Sequence, residues 1–146
     1  GILMITETDN KHVIFKLDKE YYGLPTHKVI GIEKMQEPTR IPNGPIHVMG
    51  VINLRGEVIS LIDLRQKLNM SVKEIDNNCR IIVVMDDEII AGLIVDSSSE
   101  VMEIPREYID NPPSASGNDS LSYISGIGKI DDRLIILLEL SKILEY

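Results

Sequence analysis

Apolar residues along this chain recur in short runs, each bounded by turn-forming residues. His12-Val13-Ile14-Phe15-Lys16-Leu17 is followed by Asp18-Lys19-Glu20 and Tyr21-Tyr22-Gly23-Leu24, which predicts a strand, a tight turn and a second strand. Val29-Ile30-Gly31-Ile32 predicts a third strand, ahead of a segment punctuated by Pro38, Pro42 and Pro45. Val51-Ile52-Asn53-Leu54 and the run 57–62 predict a hairpin turning at Arg55-Gly56, where a residue without Cβ tolerates positive φ. Leu64 and Leu68, four positions apart, predict one or two helical turns. The runs 80–85 and 134–140 are apolar without alternation, as in strands buried on both faces. Ser71-Val72-Lys73-Glu74 has the form of a capping box and predicts a short surface helix, and 111–120 reads as a polar loop.

The pattern then repeats. At an offset of 69, Val13-Ile14-Phe15 falls on Ile82-Val83-Val84, Asp18 on Asp87 and Gly23-Leu24 on Gly92-Leu93. At an offset of 72, Val29 and Ile32 fall on Val101 and Ile104; at 76, Gly50, Ile59, Leu61, Leu64 and Leu68 meet identical residues, and Asp63 meets Glu139. Two copies of this kind, each with about five short strands, predict an all-β chain of two small barrels, because closure removes exposed edges. The sub-barrels are expected at 11–79 and 80–146, allowing for an exchange of terminal strands between them. They are expected to share an interface, since each alone would bury little.

Composition agrees with this picture and narrows it. The chain has 24 isoleucines and ten valines against two alanines, a bias toward stiff β-branched side chains that suits strands. With no Trp and one Phe, the core must be aliphatic, and stacking platforms for bases are poorly supplied. A net charge of −8 makes nucleic acid an unexpected partner. The single cysteine, Cys79, excludes an internal disulfide or a cysteine zinc cluster and fits a reducing compartment. No 18-residue apolar run or secretory leader is present, so a soluble intracellular protein without direct membrane insertion is expected.

The search for chemistry yields no assembled centre. His12, His27 and His47 lie in separate elements without metal-ligand spacing, so no metal or other cofactor is expected. Asp86-Asp87-Glu88 and Asp131-Asp132 read as turns, and Gly126-Ile127-Gly128 lacks the helix that a phosphate cradle needs. No nucleophile, base and oxyanion donor can be grouped, so the chain is expected not to be an enzyme. Surface remains: Arg55 at a hairpin tip, and Val29 and Val101, aligned as equivalents that could border one groove suited to a helix.

The stretch Gly50-Val-Ile-Asn-Leu-Arg-Gly-Glu-Val-Ile-Ser-Leu-Ile-Asp-Leu-Arg65 resembles the signature of the CheW family of bacterial chemotaxis coupling proteins. Tyr22-Gly23-Leu24, Thr39-Arg40-Ile41-Pro42-Asn43, Gly92-Leu93-Ile94-Val95-Asp96, Pro112-Pro113 and Leu134-Ile135-Ile136-Leu137-Leu138 follow in family order, so the resemblance spans about residues 11–145. It implies two tandem SH3-like five-stranded barrels and a non-catalytic adaptor joining the cytoplasmic tip helices of methyl-accepting chemoreceptors to the regulatory domain of the histidine kinase CheA. It also implies a cytoplasmic location, recruited to membrane-associated receptor arrays. The positions matching the family's receptor contacts are Val29, Gly50, Arg55, Gly92 and Val101, with Gly50 and Gly92 expected to keep the groove walls low; kinase contact is implied near Thr26 and Gly31. The chain departs from the family at Gly31, where Glu is frequent and Glu33 stands two positions on, at Ser60 for Pro, at Ser98 for an aliphatic residue and at Glu139 for Asp. The alternatives are a scaffold of a non-chemotactic sensory array and a small enzyme. The related CheV carries an added receiver and CheA carries the domain internally; the chain's length favours the stand-alone coupler.

Overall fold

The computed structural model describes residues 10–112 and 122–145. The polar loop expected at 111–120 lies, beyond Pro112, outside them, as does Pro113 of the quoted Pro112-Pro113 pair. Among the described residues, eleven strands form two sheets: β1 (Lys11–Leu17), β2 (Glu20–Pro25), β3 (Val29–Lys34), β4 (Val48–Leu54), β5 (Glu57–Asp63), β6 (Arg80–Asp86), β7 (Ile89–Val95), β8 (Ser97–Glu103), β9 (Ile109–Asp110), β10 (Ile124–Ile130) and β11 (Arg133–Leu138). Among the described residues, the single-turn helices α1 (Leu64–Lys67) and α2 (Leu140–Ile143) follow β5 and β11. One sheet has the order β3-β6-β7-β5-β4 and the other β8-β1-β2-β11-β10-β9. Each half of the chain therefore lends its first hairpin to the sheet formed by the other half's remaining strands: β1–β2 join the later strands, and β6–β7 join β3 to β5.

Each sheet curls around its own apolar interior. Ile52, Ile59, Leu61, Ile81, Val83 and Ile94 all point from one face of the five-stranded sheet and pack on one another, which a flat sheet cannot do. Ile14, Ile135 and Leu137 do the same in the second barrel, with Ile104 just past the end of β8 packed on them. A third cluster lies between the sheets, where Phe15, Leu17 and Leu24 meet Ile62, Ile82, Val84 and Leu93, with Leu64, Leu140 and Ile143 of the helices. Adjacent residues of β1 and β6 thus enter different cores, and this is why both strands are continuously apolar.

The repeat is visible in the pairing registers. Leu61 stands opposite Gly92 as Leu137 stands opposite Gly23, and both β5–β7 and β11–β2 pair in parallel. One expected equivalence changes. Val29 faces Val84 and Ile32 faces Ile82, whereas Ser98 faces Phe15 and Val101 faces Val13. The offset of 69 therefore runs through this strand too, making Ser98 the counterpart of Val29 and Val101 that of Ile32. Both strands carry a bulge between these pairs. The short helix expected from Ser71 is also absent: 71–76 has no regular structure, and the Ser71 carbonyl accepts from the Arg65 guanidinium.

Candidate functional site

Arg55 and Gly56 turn the β4–β5 hairpin with φ of 53° and 90°, the positive values that a type I′ turn requires at both positions. The Asn53 side chain secures the turn by accepting from the Gly56 N–H at 2.9 Å. Arg55 projects with its side chain 85% exposed and meets Glu33 Oε1 of β3 at 3.4 Å. At that exposure the pair contributes at most about 1 kcal/mol. Ile30, Gly31 and Glu33 on β3, Leu54, Arg55 and Glu57 on the hairpin and Val83 as a floor enclose a depression of about 240 Å³. Arg55 and Gly31, matched by resemblance to different partners, thus stand at one barrel mouth. Thr26 opens the 3₁₀ turn Thr26–Lys28 that leads into β3, and the turn is tied to β6 by Lys28 donating to Asp86 Oδ1 at 2.7 Å.

The two valines have different settings. Val29 is half-buried against the inter-sheet core, while Val101 is 61% exposed. They stand on edge strands of different sheets, β3 and β8. The glycines act through packing. Gly50 has φ +147°, and a Cβ there would lie 2.3 Å from the Thr39 carbonyl oxygen, so glycine permits the Thr39–Val51 bridge that anchors the proline-rich segment. Gly92 does not lower a groove wall with its missing side chain. Its backbone is buried and its Cβ direction points into the first barrel, 2.7 Å from both Ile81 Cγ2 and Leu61 Cδ2.

Arg65, the last residue of the signature stretch, has a role that sequence alone does not reveal. It lies buried where the two sheets join. Its guanidinium donates to Asp96 through Nε at 2.9 Å and Nη2 at 3.0 Å, and also pairs with Asp18 in the β1–β2 turn. Asp96 in turn accepts from the Asp18 N–H at 2.7 Å. Burial alone would raise the Asp96 pKa, but the Arg65 bonds and the Asp18 N–H outweigh it and hold the carboxyl below its ordinary value. The signal was present in sequence as Arg65 and Asp96 at the ends of two family motifs, but only the fold shows that they meet. Among the described residues, no three His, Cys, Asp or Glu side chains converge to hold a metal ion.

Comparison with known proteins places this architecture. Residues 11–146 match the CheW-like domain. The chain belongs to the CheW-like family. The chemotaxis protein CheW of Bacillus subtilis is 34% identical over 139 residues, covering 95% of this chain and 89% of that protein. The chemotaxis protein CheW of Helicobacter pylori is 36% identical over 144 residues, covering 95% and 86%. The crystal structure of the scaffolding protein TtCheW from Thermoanaerobacter tengcongensis superimposes with a TM-score of 0.87 at 36% identity, over 94% of both chains. The two curled sheets are the two SH3-like β-barrels of the CheW-like fold.

Proposed function

We propose that this chain is a non-catalytic adaptor that couples methyl-accepting chemoreceptors to the histidine kinase CheA within signalling arrays. The observation that carries this reading is the end-to-end likeness to chemotaxis CheW proteins, one of them described as a scaffolding protein. Such an adaptor works by holding two partners in fixed relation, so that ligand state at one shifts the equilibrium of the other. Val29, Arg55 and Val101 are the receptor-facing side chains in this reading, with Gly50 and Gly92 shaping the backbone behind them. Thr26 and Gly31 face the kinase's regulatory domain. No helix among the described residues is long and apolar enough to cross a membrane, so recruitment to an array would run through the receptors' cytoplasmic tips.

The test is a pair of affinities with a melting curve. Val101 is exposed, so an aspartate there stays hydrated and the Val101→Asp variant should melt like the wild type. It should bind receptor cytoplasmic fragments weakly and the kinase's regulatory domain normally. Unchanged receptor binding by a folded Val101→Asp protein would remove β8 from the receptor surface. Failure of the wild-type chain to bind either partner would end the coupling hypothesis.

A further inference from the structure

The internal repeat allows one barrel mouth to be compared with the other inside a single molecule. At the offsets set by the pairing registers, Gly31 of the first mouth corresponds to Glu100 of the second, Glu57 to Arg133, and Val83 to Ile14. The second mouth is spanned from within. Arg133 Nη2 lies 3.0 Å from Glu100 Oε1, and the same guanidinium sits over the Tyr21 ring, 4.8 Å from its centre. At the first mouth, Gly31 brings no carboxylate and an acid, Glu57, stands where the arginine stands. What remains is the depression of about 240 Å³ between β3 and the β4–β5 hairpin. That volume falls short of the roughly 300–1,000 Å³ of small-molecule pockets and suits one inserted side chain.

We propose that the mouth of the first barrel is a socket for a single cationic side chain, arginine or lysine, presented by a protein partner. The second barrel makes the corresponding contact internally with Arg133. The inserted stem would lie on Ile30, Leu54 and Val83, and its charge would sit between Glu33 and Glu57. Arg55 holds Glu33 only at 3.4 Å from an 85% exposed position, so it yields the carboxylate easily. Two acids against one loosely held base, on a chain of net charge −8, favour a basic occupant over an acidic one. The proposal deepens the reading of Gly31 as a kinase contact, and rests on it only for the identity of the partner.

The experiment titrates the ¹⁵N-labelled chain with N-acetyl-arginine amide and, separately, with its uncharged isostere N-acetyl-citrulline amide. The arginine probe should move the backbone amides of Gly31, Glu33, Arg55 and Glu57 along a saturable curve, and the citrulline probe should not. The double variant Gly31→Glu/Glu57→Arg copies the second mouth and should bind the arginine probe about tenfold more weakly. It has room to fold, since a Cβ at Gly31 would meet only Glu33 Oε1, at 3.9 Å. If it nevertheless melts early, Glu57→Gln tests the same charge and should also weaken the probe. An equal response to both probes, or binding that neither variant weakens, overturns the socket. Kinase affinity separates the two readings. If the arginine probe binds as expected but the regulatory domain binds the double variant as tightly as the wild type, the socket stands and Gly31 is not a kinase contact. If the variant loses the kinase while the wild type ignores the arginine probe, the socket is overturned and the kinase surface stands.

Discussion

Arg65 keeps its charge inside the fold because two carboxylates meet it there, one from the β1–β2 turn and one from the β7–β8 junction. Removing it strands Asp96, whose side chain is only 12% exposed, as an unpaired buried charge. Arg65→Ala is therefore expected to cost about 3 kcal/mol, which thermal unfolding would show as a fall of roughly 6–12 °C in a chain of this size. The same clamp sets an acid limit. The folded pKa of Asp96 lies below its unfolded value, so its contribution is fully present above the ordinary carboxylate range and is lost as pH falls through the depressed value. Urea midpoints measured below about pH 4 should drop less steeply in Arg65→Ala than in the wild type; parallel slopes would show that other carboxylates dominate the acid limb. Arg55 is the opposite case. Because its side chain is 85% exposed, Arg55→Ala should change stability by no more than about 0.5 kcal/mol while weakening receptor coupling in reconstituted arrays. A sharp loss of stability would make the turn, and not the partner, its reason for being there.

Individual strands show why two glycines with similar family standing act differently. Gly50→Ala would drive a methyl into the Thr39 carbonyl at a φ that L residues rarely adopt, breaking the bridge to Val51; the expected cost is at least about 2 kcal/mol. Gly92→Ala meets only side-chain atoms, Ile81 Cγ2 and Leu61 Cδ2, in a closed aliphatic core, and overpacking of that kind costs about 1–3 kcal/mol. Denaturant midpoints for the two variants, read beside receptor binding, separate folding from contact. If Gly92→Ala binds weakly in proportion to its loss of fold, Gly92 is a packing residue. If it is fully folded and still fails to bind, its backbone faces the partner. Helix α1 follows the same local logic. Asp63 caps α1 by accepting from the Gln66 N–H, and Asn69, left-handed at φ 60°, ends the turn.

At the scale of the molecule, the exchange of hairpins and the core shared between the sheets are expected to make the two barrels unfold as one unit. The five-stranded sheet is continuous in sequence from β3 to β7, yet Ile62, Ile82, Val84 and Leu93 on its inter-sheet face are buried by strands from outside that stretch. A fragment of residues 29–95 is therefore expected to be unfolded or aggregated in isolation, which far-ultraviolet circular dichroism and gel filtration would report. Phe15, fully buried and stacked on Tyr22 with ring centres 6.0 Å apart, sits in the shared core. Phe15→Ala should cost about 3–5 kcal/mol and lower the stability of both barrels together, with hydrogen exchange in β5 and β11 accelerating in step. Retained protection in β5 beside loss in β11 would show that the barrels unfold separately.

Local order was legible in the residues themselves. Strands such as β1, β2, β5 and β6 followed from β-branched and aromatic runs between Asp and Gly turns, because turn chemistry and side-chain stiffness act within a few residues, whereas the serine-rich start of β8 carried no such signal. The all-β class and the presence of a repeat followed too, since Gly50 and Gly126, or Leu64 and Leu140, mark the same structural moment twice. The family could be named from one signature stretch. What needed the fold was every relation between distant segments. The equivalence of Val101 with Ile32, and not Val29, came from hydrogen-bond register, because short aliphatic strands align almost as well at an offset of 72 as at 69. The capping-box pattern at Ser71 formed no helix, and there the chain instead gives the Ser71 carbonyl to the Arg65 guanidinium, a contact that no local pattern announces. Gly92 proved to face a core, and Arg55 and Gly31 to share one mouth. These facts depend on which side of a curled sheet each residue occupies, and a period-two pattern cannot specify that when strands are apolar on both faces.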